Sequence, residues 1–273
     1  MRQFFIYMNL RFFITLFILT TLTHAYGQEL PEDMPKIFYK NEKTIGIQLN
    51  TNGWGLGYRY GDRINYFEKR NYEIDFSIIK HPKEIKSSST FISSESFVFG
   101  KLNYVFDLRV GYGKQNELFT KKDPGSVAIR YFYSFGPSVA IQKPIYYEIL
   151  YPVNDSVYGV RKEKFNADIH TSGDINGKSS FFDGIDEISL VPGAFLKLGF
   201  NFEFSQSETI IHALEAGAML QAYLSNLEIM DTNDNQQFYF TMFVSYRFGK
   251  IVNAQEISED YLKKRKKRIR LFN

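Results

Sequence analysis

The stretch "FYFTMFVSYRF", Phe238 to Phe248, alternates residue by residue. Even positions carry Phe238, Phe240, Met242, Val244, Tyr246 and Phe248, all apolar or aromatic. Odd positions carry Tyr239, Thr241, Phe243, Ser245 and Arg247, which are mostly polar. Successive side chains of a strand point to opposite faces, so a period of two gives one apolar face and one mixed face. A helix would scatter the two sets around its axis.

The same pattern recurs upstream. In "ISLVPGAFLKLGFNFEF", Ile188, Leu190, Leu196, Leu198, Phe200, Phe202 and Phe204 oppose Ser189, Gly193, Lys197, Gly199, Asn201 and Glu203. In "YEIDFSI", Tyr72, Ile74, Phe76 and Ile78 oppose Glu73, Asp75 and Ser77. In "YVFDLRVGYG", Tyr104, Phe106, Leu108, Val110 and Tyr112 oppose Asp107, Arg109, Gly111 and Gly113. From Val127 the apolar set is odd-numbered and faces Arg130, Ser134, Gly136 and Gln142, with Pro137 expected to bend the strand. "LEAGAMLQAYL", Leu214 to Leu224, fits a strand face, although its alanines and Glu215 also suit a helix. Its strand neighbours favour the strand.

Near the N-terminus, "TIGIQLN" and "WGLGYRY" are separated by "TNG". Asn-Gly is a strong hairpin signal. One long strand, Ile45 to Tyr60, bulged at Asn52–Gly53, is the rival reading, because the apolar parity switches there. Ile45–Leu49, Trp54–Tyr60, Tyr72–Ile78, Tyr104–Tyr112, Val127–Ile141, Ile188–Phe204, Leu214–Leu224 and Phe238–Phe248 make about eight strands. "SFVFGK" and "IYYEIL" raise the count to about ten. The longest connection, about Pro152 to Asp186, is polar and reads as a loop.

The chain has 273 residues, room for one large domain or two small ones. Aromatics make up 17% of it, with 27 Phe and 19 Tyr but one Trp. The mean hydropathy is only −0.27, an unusual pairing with so many rings for a soluble enzyme. Arg2 and Arg11, the apolar run "FFITLFILTTL" and the small residues Ala25 and Gly27 follow the pattern of a secretory signal peptide over 1–27. That run is short for a membrane-spanning helix. With no Cys, disulfides and lipid attachment at a cysteine are excluded. The expected organisation is a signal peptide (1–27), a periplasmic segment (28–43), a barrel (44–249) and a basic tail (250–273).

Soluble sandwiches also alternate, but their strands are typically about five or six residues long. Several runs here are longer, with unusually aromatic apolar faces. Together with a signal peptide, this predicts an all-β, antiparallel transmembrane β-barrel of about eight strands, ten being possible. "TNGWGLGYRYG" and "FYFTMFVSYRFGK" are the residues on which the chain resembles the small outer-membrane β-barrel proteins of Gram-negative bacteria, in the Bacteroidetes style. The second is similar to the aromatic-rich last strand read by the outer-membrane insertion machinery, although that strand normally ends the chain and here Gly249 is followed by more residues. The resemblance implies an outer-membrane location.

At about eight strands, side chains fill the interior. Parity sends Arg59, Glu73, Asp75, Asp107, Arg109, Arg130, Lys197, Glu203, Glu215 and Arg247 inward, five basic and five acidic groups. Such a balance suits mutual pairing, since buried charges are costly alone. The expected role is a structural, adhesive or assembly-accessory barrel without catalysis. A small porin-like barrel is the alternative, and a lipid-modifying barrel enzyme a more distant one. For the latter, His170-Thr171-Ser172 resembles the His-x-Ser spacing of outer-membrane lipid A deacylases, but it sits in the long polar connection. His81 precedes Pro82, which ends a strand. His212 with Glu215 reads as structural, and "MDTNDN" (Asp231, Asp234) as a turn, lacking calcium-loop spacing. No phosphate loop, zinc cluster or dinucleotide fingerprint is present, so no cofactor is expected.

Residues 250–273 carry eight basic and three acidic groups, net +5. The cations are concentrated at Lys263, Lys264, Arg265, Lys266, Lys267, Arg268 and Arg270. With the signal peptide removed the chain is +1, so the body 28–249 is about −4. In the periplasm such a tail is expected either to stay solvated or to touch anionic lipid headgroups, a cell-wall polymer or an acidic protein. Nucleic acid is not expected for an exported chain.

Overall fold

The computed structural model describes residues 40–253, apart from 66, 89–95, 122–125, 155–156 and 206–208. The signal peptide and the tail cations Lys263 to Arg270 lie outside the described residues.

Eight strands form the wall: β1 (Lys40–Asn50), β2 (Gly53–Arg63), β3 (Glu68–Ile79), β6 (Asn103–Phe119), β7 (Ala128–Pro144), β11 (Ser189–Glu203), β12 (Ile210–Tyr223) and β13 (Phe238–Asn253). Each pairs antiparallel with its neighbour in the order β1-β13-β12-β11-β7-β6-β3-β2. β1 pairs with both β13 and β2, which closes the sheet and leaves the wall without an edge. At 11 to 17 residues, every wall strand reaches the ~9–11 needed to cross a bilayer.

"TNG" turns the chain back. Asn50 pairs with Gly53, leaving Thr51 and Asn52 as the turn, so the single bulged strand is not formed. Gly53 takes φ 154°, and a Cβ there would lie 1.9 Å from the Ile78 carbonyl oxygen. The arms are 11 residues each because Lys40–Lys43 on one and Gly61–Arg63 on the other continue the ladder beyond the apolar segments. For the same reason the wall runs from Lys40 to Asn253 rather than 44–249. "LEAGAMLQAYL" is strand, within β12 up to Tyr223.

The outer face is apolar and open. Ile47, Leu56, Phe76 and Leu108 sit side by side across four strands, and all four are exposed. Phe238 and Phe240 are 68% and 66% exposed. A soluble monomer rarely exposes apolar patches beyond a few hundred Å², whereas this belt encircles the wall. In a bilayer it is the wetted face, so the chain is a transmembrane β-barrel. Among the described residues no helix is long and apolar enough to cross a membrane.

The two ends differ. At the near end, with Lys40 and Asn253, the connections are short: 64–67, 120–127 and 204–209. At the far end, connections 80–102 and 145–188 fold into a cap. It comprises the hairpin β4 (Lys86–Ser88)–β5 (Ser96–Val98) and a sheet ordered β10 (Ile175–Lys178), β8 (Tyr146–Asn154), β9 (Val157–Lys164). "SFVFGK" and "IYYEIL" therefore contribute strands, Ser96–Val98 and the start of β8, but to the cap and not to the wall. The expected polar loop is corrected likewise: β9 and β10 lie within it. Phe97, Ile145, Tyr147, Ile149, Phe165 and Ile175 form the cap's own apolar core.

Candidate functional site

Charged and polar side chains crowd the inner face of the wall. Inward positions follow parity. β3 turns Lys69, Asn71, Glu73, Asp75 and Ser77 inside, and their outward neighbours Tyr72, Ile74 and Phe76 are exposed. Glu215 is the hub and is fully buried. It accepts hydrogen bonds from Arg59 Nη1 (2.5 Å), Arg247 Nε (2.7 Å) and Asn201 Nδ2 (2.8 Å). Arg59 Nε also reaches Glu73 at 2.7 Å. Lys197 lies between Asp75 (3.0 Å) and Glu73 (3.5 Å). Arg109 bonds Asp107 at 2.8 Å and stands 3.9 Å from Asp75. Arg130 bridges Glu117 (3.1 Å) and Glu203. Of the ten charged residues read as inward, eight join one run of contacts from Arg247 to Asp107, and Arg130 and Glu203 pair with each other apart from it.

Aromatic and small residues complete the filling. Phe132, Phe195, Met219 and Phe243 form an apolar cluster within the lumen. Arg59 lies 4.8 Å over the Phe132 ring and Lys197 5.1 Å from that of Phe243, cation–π contacts that offset part of the cost of burial. On β2, Gly57 faces inward: a Cβ there would sit 2.1 Å from Asp75 Oδ1 and 3.7 Å from Arg247 Nη2. Trp54, Leu56 and Tyr58, on the opposite face, are exposed. The glycine-aromatic alternation of "GWGLGY" therefore builds a wall that is greasy outside and leaves room for charged side chains inside.

Two plug components are additional to the ten. At the near end Glu42 pairs with Lys69 and lies 3.9 Å from Arg63, while Lys121 bonds Glu203 at 2.9 Å. At the far end Leu227, Ile229 and Met230, from the β12–β13 connection, pack against Ile79, Val105, Val191 and Tyr223. Below them the Tyr223 hydroxyl donates to Asp107 Oδ1 at 2.9 Å, and Gln221 donates to Oδ2 at 2.8 Å.

The three described histidines are structurally engaged. His170 Nδ1 accepts the Asn166 amide (3.1 Å), and its Nε2 faces Glu163 at 3.3 Å. Ser172 of the same motif is an exposed residue of the cap. His212 stacks on Phe204 and meets the Tyr246 hydroxyl at 2.8 Å on the outer face, while Glu215 lies inside; the two do not meet. His81 Nδ1 accepts the Lys83 amide at 3.2 Å, two residues beyond the end of β3. Asp231 caps the Ala167 amide (3.2 Å) and Asp234 pairs with Lys83, so "MDTNDN" is a cross-tied turn. Among the described residues no cluster of three or more His, Cys, Asp or Glu is placed to hold a metal.

No protein-family model matches the chain, and no curated protein matches it in sequence. Among solved structures it is similar to Neisserial surface protein A, at 8% identity and a TM-score of 0.37, covering 78% of this chain and 97% of that one. It is also similar to the N-terminal β-barrel domain of OprF from Pseudomonas aeruginosa: 8% identity, TM-score 0.35, 78% of this chain and 98% of that one. A third is Ail, the attachment invasion locus protein of Yersinia pestis, solved with the heparin analogue sucrose octasulfate: 9% identity, TM-score 0.36, 79% of this chain and 100% of that one. These are weak likenesses of shape. The barrel itself is established by the closed strand register of this chain.

Proposed function

We propose that the chain is an integral outer-membrane protein whose plugged barrel is an anchor and whose cap is the working surface. Its role on this reading is structural, adhesive or assembly-accessory, without catalysis or conduction. The observation that carries it is the filled lumen: Glu215, Arg59 and Arg247 are buried and bonded across the barrel interior, where a pore would need water. The far end carries the long connections 80–102, 145–188 and 224–237 beside the two-residue Thr51–Asn52 turn, and the near end carries none longer than 120–127. In outer-membrane barrels short turns face the periplasm and long loops the exterior. That orients the cap outward and gives the tail, Lys263 to Arg270, to the periplasm, where an acidic protein, a cell-wall polymer or anionic headgroups are its candidate contacts.

Protease added to intact cells tests this reading. Cleavage within 145–188, with the wall strands retained in the carbonate-washed outer membrane, is the expected result. Release of the chain by carbonate, or stepwise conductance of the purified protein in planar bilayers, overturns it.

A further inference from the structure

Outside the wall, where the far ends of β6 and β7 meet the cap, lies a pocket of about 430 Å³. That is within the ~300–1,000 Å³ typical of small-ligand sites. Tyr104, Lys143, Tyr146, Lys178, Ser180 and Phe181 are among its lining residues. Lys143 occupies an outward position of β7, yet it is only 3% exposed, because the segment around Phe181 folds down over it. Its Nζ donates to the carbonyl oxygens of Pro144 (3.0 Å) and Asp183 (2.8 Å) and stands 4.9 Å from the Phe181 ring centroid. An ammonium has three donors, and neither of these acceptors is charged. Asp183's carboxylate is engaged instead by Lys162 at 3.1 Å and by Ser179. Lys143 is therefore a buried cation with no carboxylate in ion-pair contact among the described residues; the Asp183 carboxylate acts on it only from beyond that distance, an arrangement that costs free energy unless a closer anion completes it.

The surroundings add positive charge. Lys178 also lines the pocket and makes no ion pair among the described residues. Lys101 and Lys80 stand close by; burial holds the Lys101 ammonium below the ordinary lysine value, against its bond to Glu84, and repulsion from Lys80 and Lys178 adds to the lowering. The one carboxylate in the lining, Glu148, is bonded by Asn176 at 3.2 Å. Rings and hydroxyls supply the remaining chemistry. Tyr104 packs 5.9 Å from Phe181, which lies 6.4 Å from Phe106, and Phe106 stacks on the lipid-facing Phe76 at 5.8 Å. The pocket thus opens beside the acyl-facing wall at the level where aromatic rings mark a membrane interface.

We propose that this pocket binds the phosphorylated sugar headgroup of a membrane glycolipid. Lys143 and Lys178 meet the phosphate as point charges. The serine hydroxyls and tyrosine faces meet the sugar, and the acyl chains descend over Phe106 and Phe76. The inference rests on the bilayer reading of the wall, but not on which membrane holds it.

The test uses the full chain in detergent micelles, with binding read by native mass spectrometry. The probe is a diphosphorylated, acylated glucosamine disaccharide, set against its dephosphorylated form. One bound copy is expected, weakened about tenfold or more by removing the phosphates or by Lys178→Gln. Lys143→Met combined with Lys178→Gln is expected to abolish it. Lys178→Gln alters a half-buried cap residue, and unboiled gel migration reports whether its barrel is intact. Soluble glucosamine phosphate is expected to compete poorly. Equal binding by Lys178→Gln or by the dephosphorylated lipid overturns the site, and full competition by the soluble sugar overturns the lipid assignment. Because binding is read in micelles, its loss is separable from a failure of outer-membrane placement, which the protease and carbonate experiment reads.

Discussion

In the lumen, Arg59 and Glu215 meet at 2.5 Å with side chains 5% and 0% exposed. In the cap, Lys162 and Asp183 meet at 3.1 Å with side chains 55% and 30% exposed. The partners are of the same kind, but the surroundings are not. In water two opposite charges gain little and are screened by salt. In a dry interior, separating a pair leaves an uncompensated charge. Lumen pairs are therefore obligatory, whereas cap pairs are trim on a module held by Phe97, Tyr147, Phe165 and Ile175.

Glu215→Ala is the harshest way to test the comparison. It strands Arg59, Arg247 and Asn201 around a void inside the wall. The expected cost is about 3–5 kcal/mol, measured as a lower urea midpoint for the barrel in micelles. An unchanged midpoint would mean that water already reaches these groups, and the plug would then be porous. Next comes Phe165→Ala in the cap, which removes one ring packed 5.0 Å from Phe99 and 6.2 Å from Tyr147. About 3 kcal/mol is expected, at the low end for a buried Phe. Its effect is confined to one end: the cap becomes sensitive to limited proteolysis while the barrel keeps its midpoint. Joint loss of both would make cap and wall one cooperative unit.

Gly57→Ala probes the same comparison from the wall side, with a smaller cost. The new Cβ meets Asp75 Oδ1, which is held by Lys197 at 3.0 Å. Asp75 must swing away from its cation, and about 1–3 kcal/mol is expected from such overpacking in the barrel urea midpoint. A neutral result would show that the inner face of β2 has room to spare.

The wall was legible because period-two text is local: each apolar residue announces its own face. The same parity, carried past the apolar segments, marks Glu42 beside Thr44, Lys69 beside Asn71 and Glu117 beside Gln115. They lie beyond the apolar segments, where no greasy outer face accompanies the parity. Lys121 carries no such signal, since it reaches Glu203 from a connection. The cap was illegible for a different reason. Its core joins Phe97, Tyr147, Phe165 and Ile175 from distant segments whose own text is mostly polar. Leu227 and Ile229, single apolar residues in turn-like text, carry no sign that they pack against Ile79, Val105 and Tyr223. Lys143 has outward parity but stands under Phe181, so only tertiary folding reveals it as a buried cation.

The gentlest test is acid applied to the cap. The Ser179 hydroxyl, and then Lys162, hold the Asp183 carboxyl below its ordinary value. Lys164, and then the Tyr146 hydroxyl, do the same for Glu187, and Thr171 does so for Asp174. A depressed carboxylate stabilises the fold above its unfolded pKa and loses that contribution as pH falls through the lower, folded value. The loss therefore begins below the ordinary carboxylate range of about 4. Because these groups are exposed, the effect is small and about 1 M salt should reproduce part of it at neutral pH. Amide hydrogen exchange is the measurement. Peptides covering 179–187 are expected to exchange faster near pH 3 than their intrinsic rates allow for, while peptides from β11 and β12 keep their protection. If wall peptides loosen first, the lumen pairs are the acid-sensitive ones, and the contrast between buried and exposed charge drawn from Arg59–Glu215 and Lys162–Asp183 is reversed.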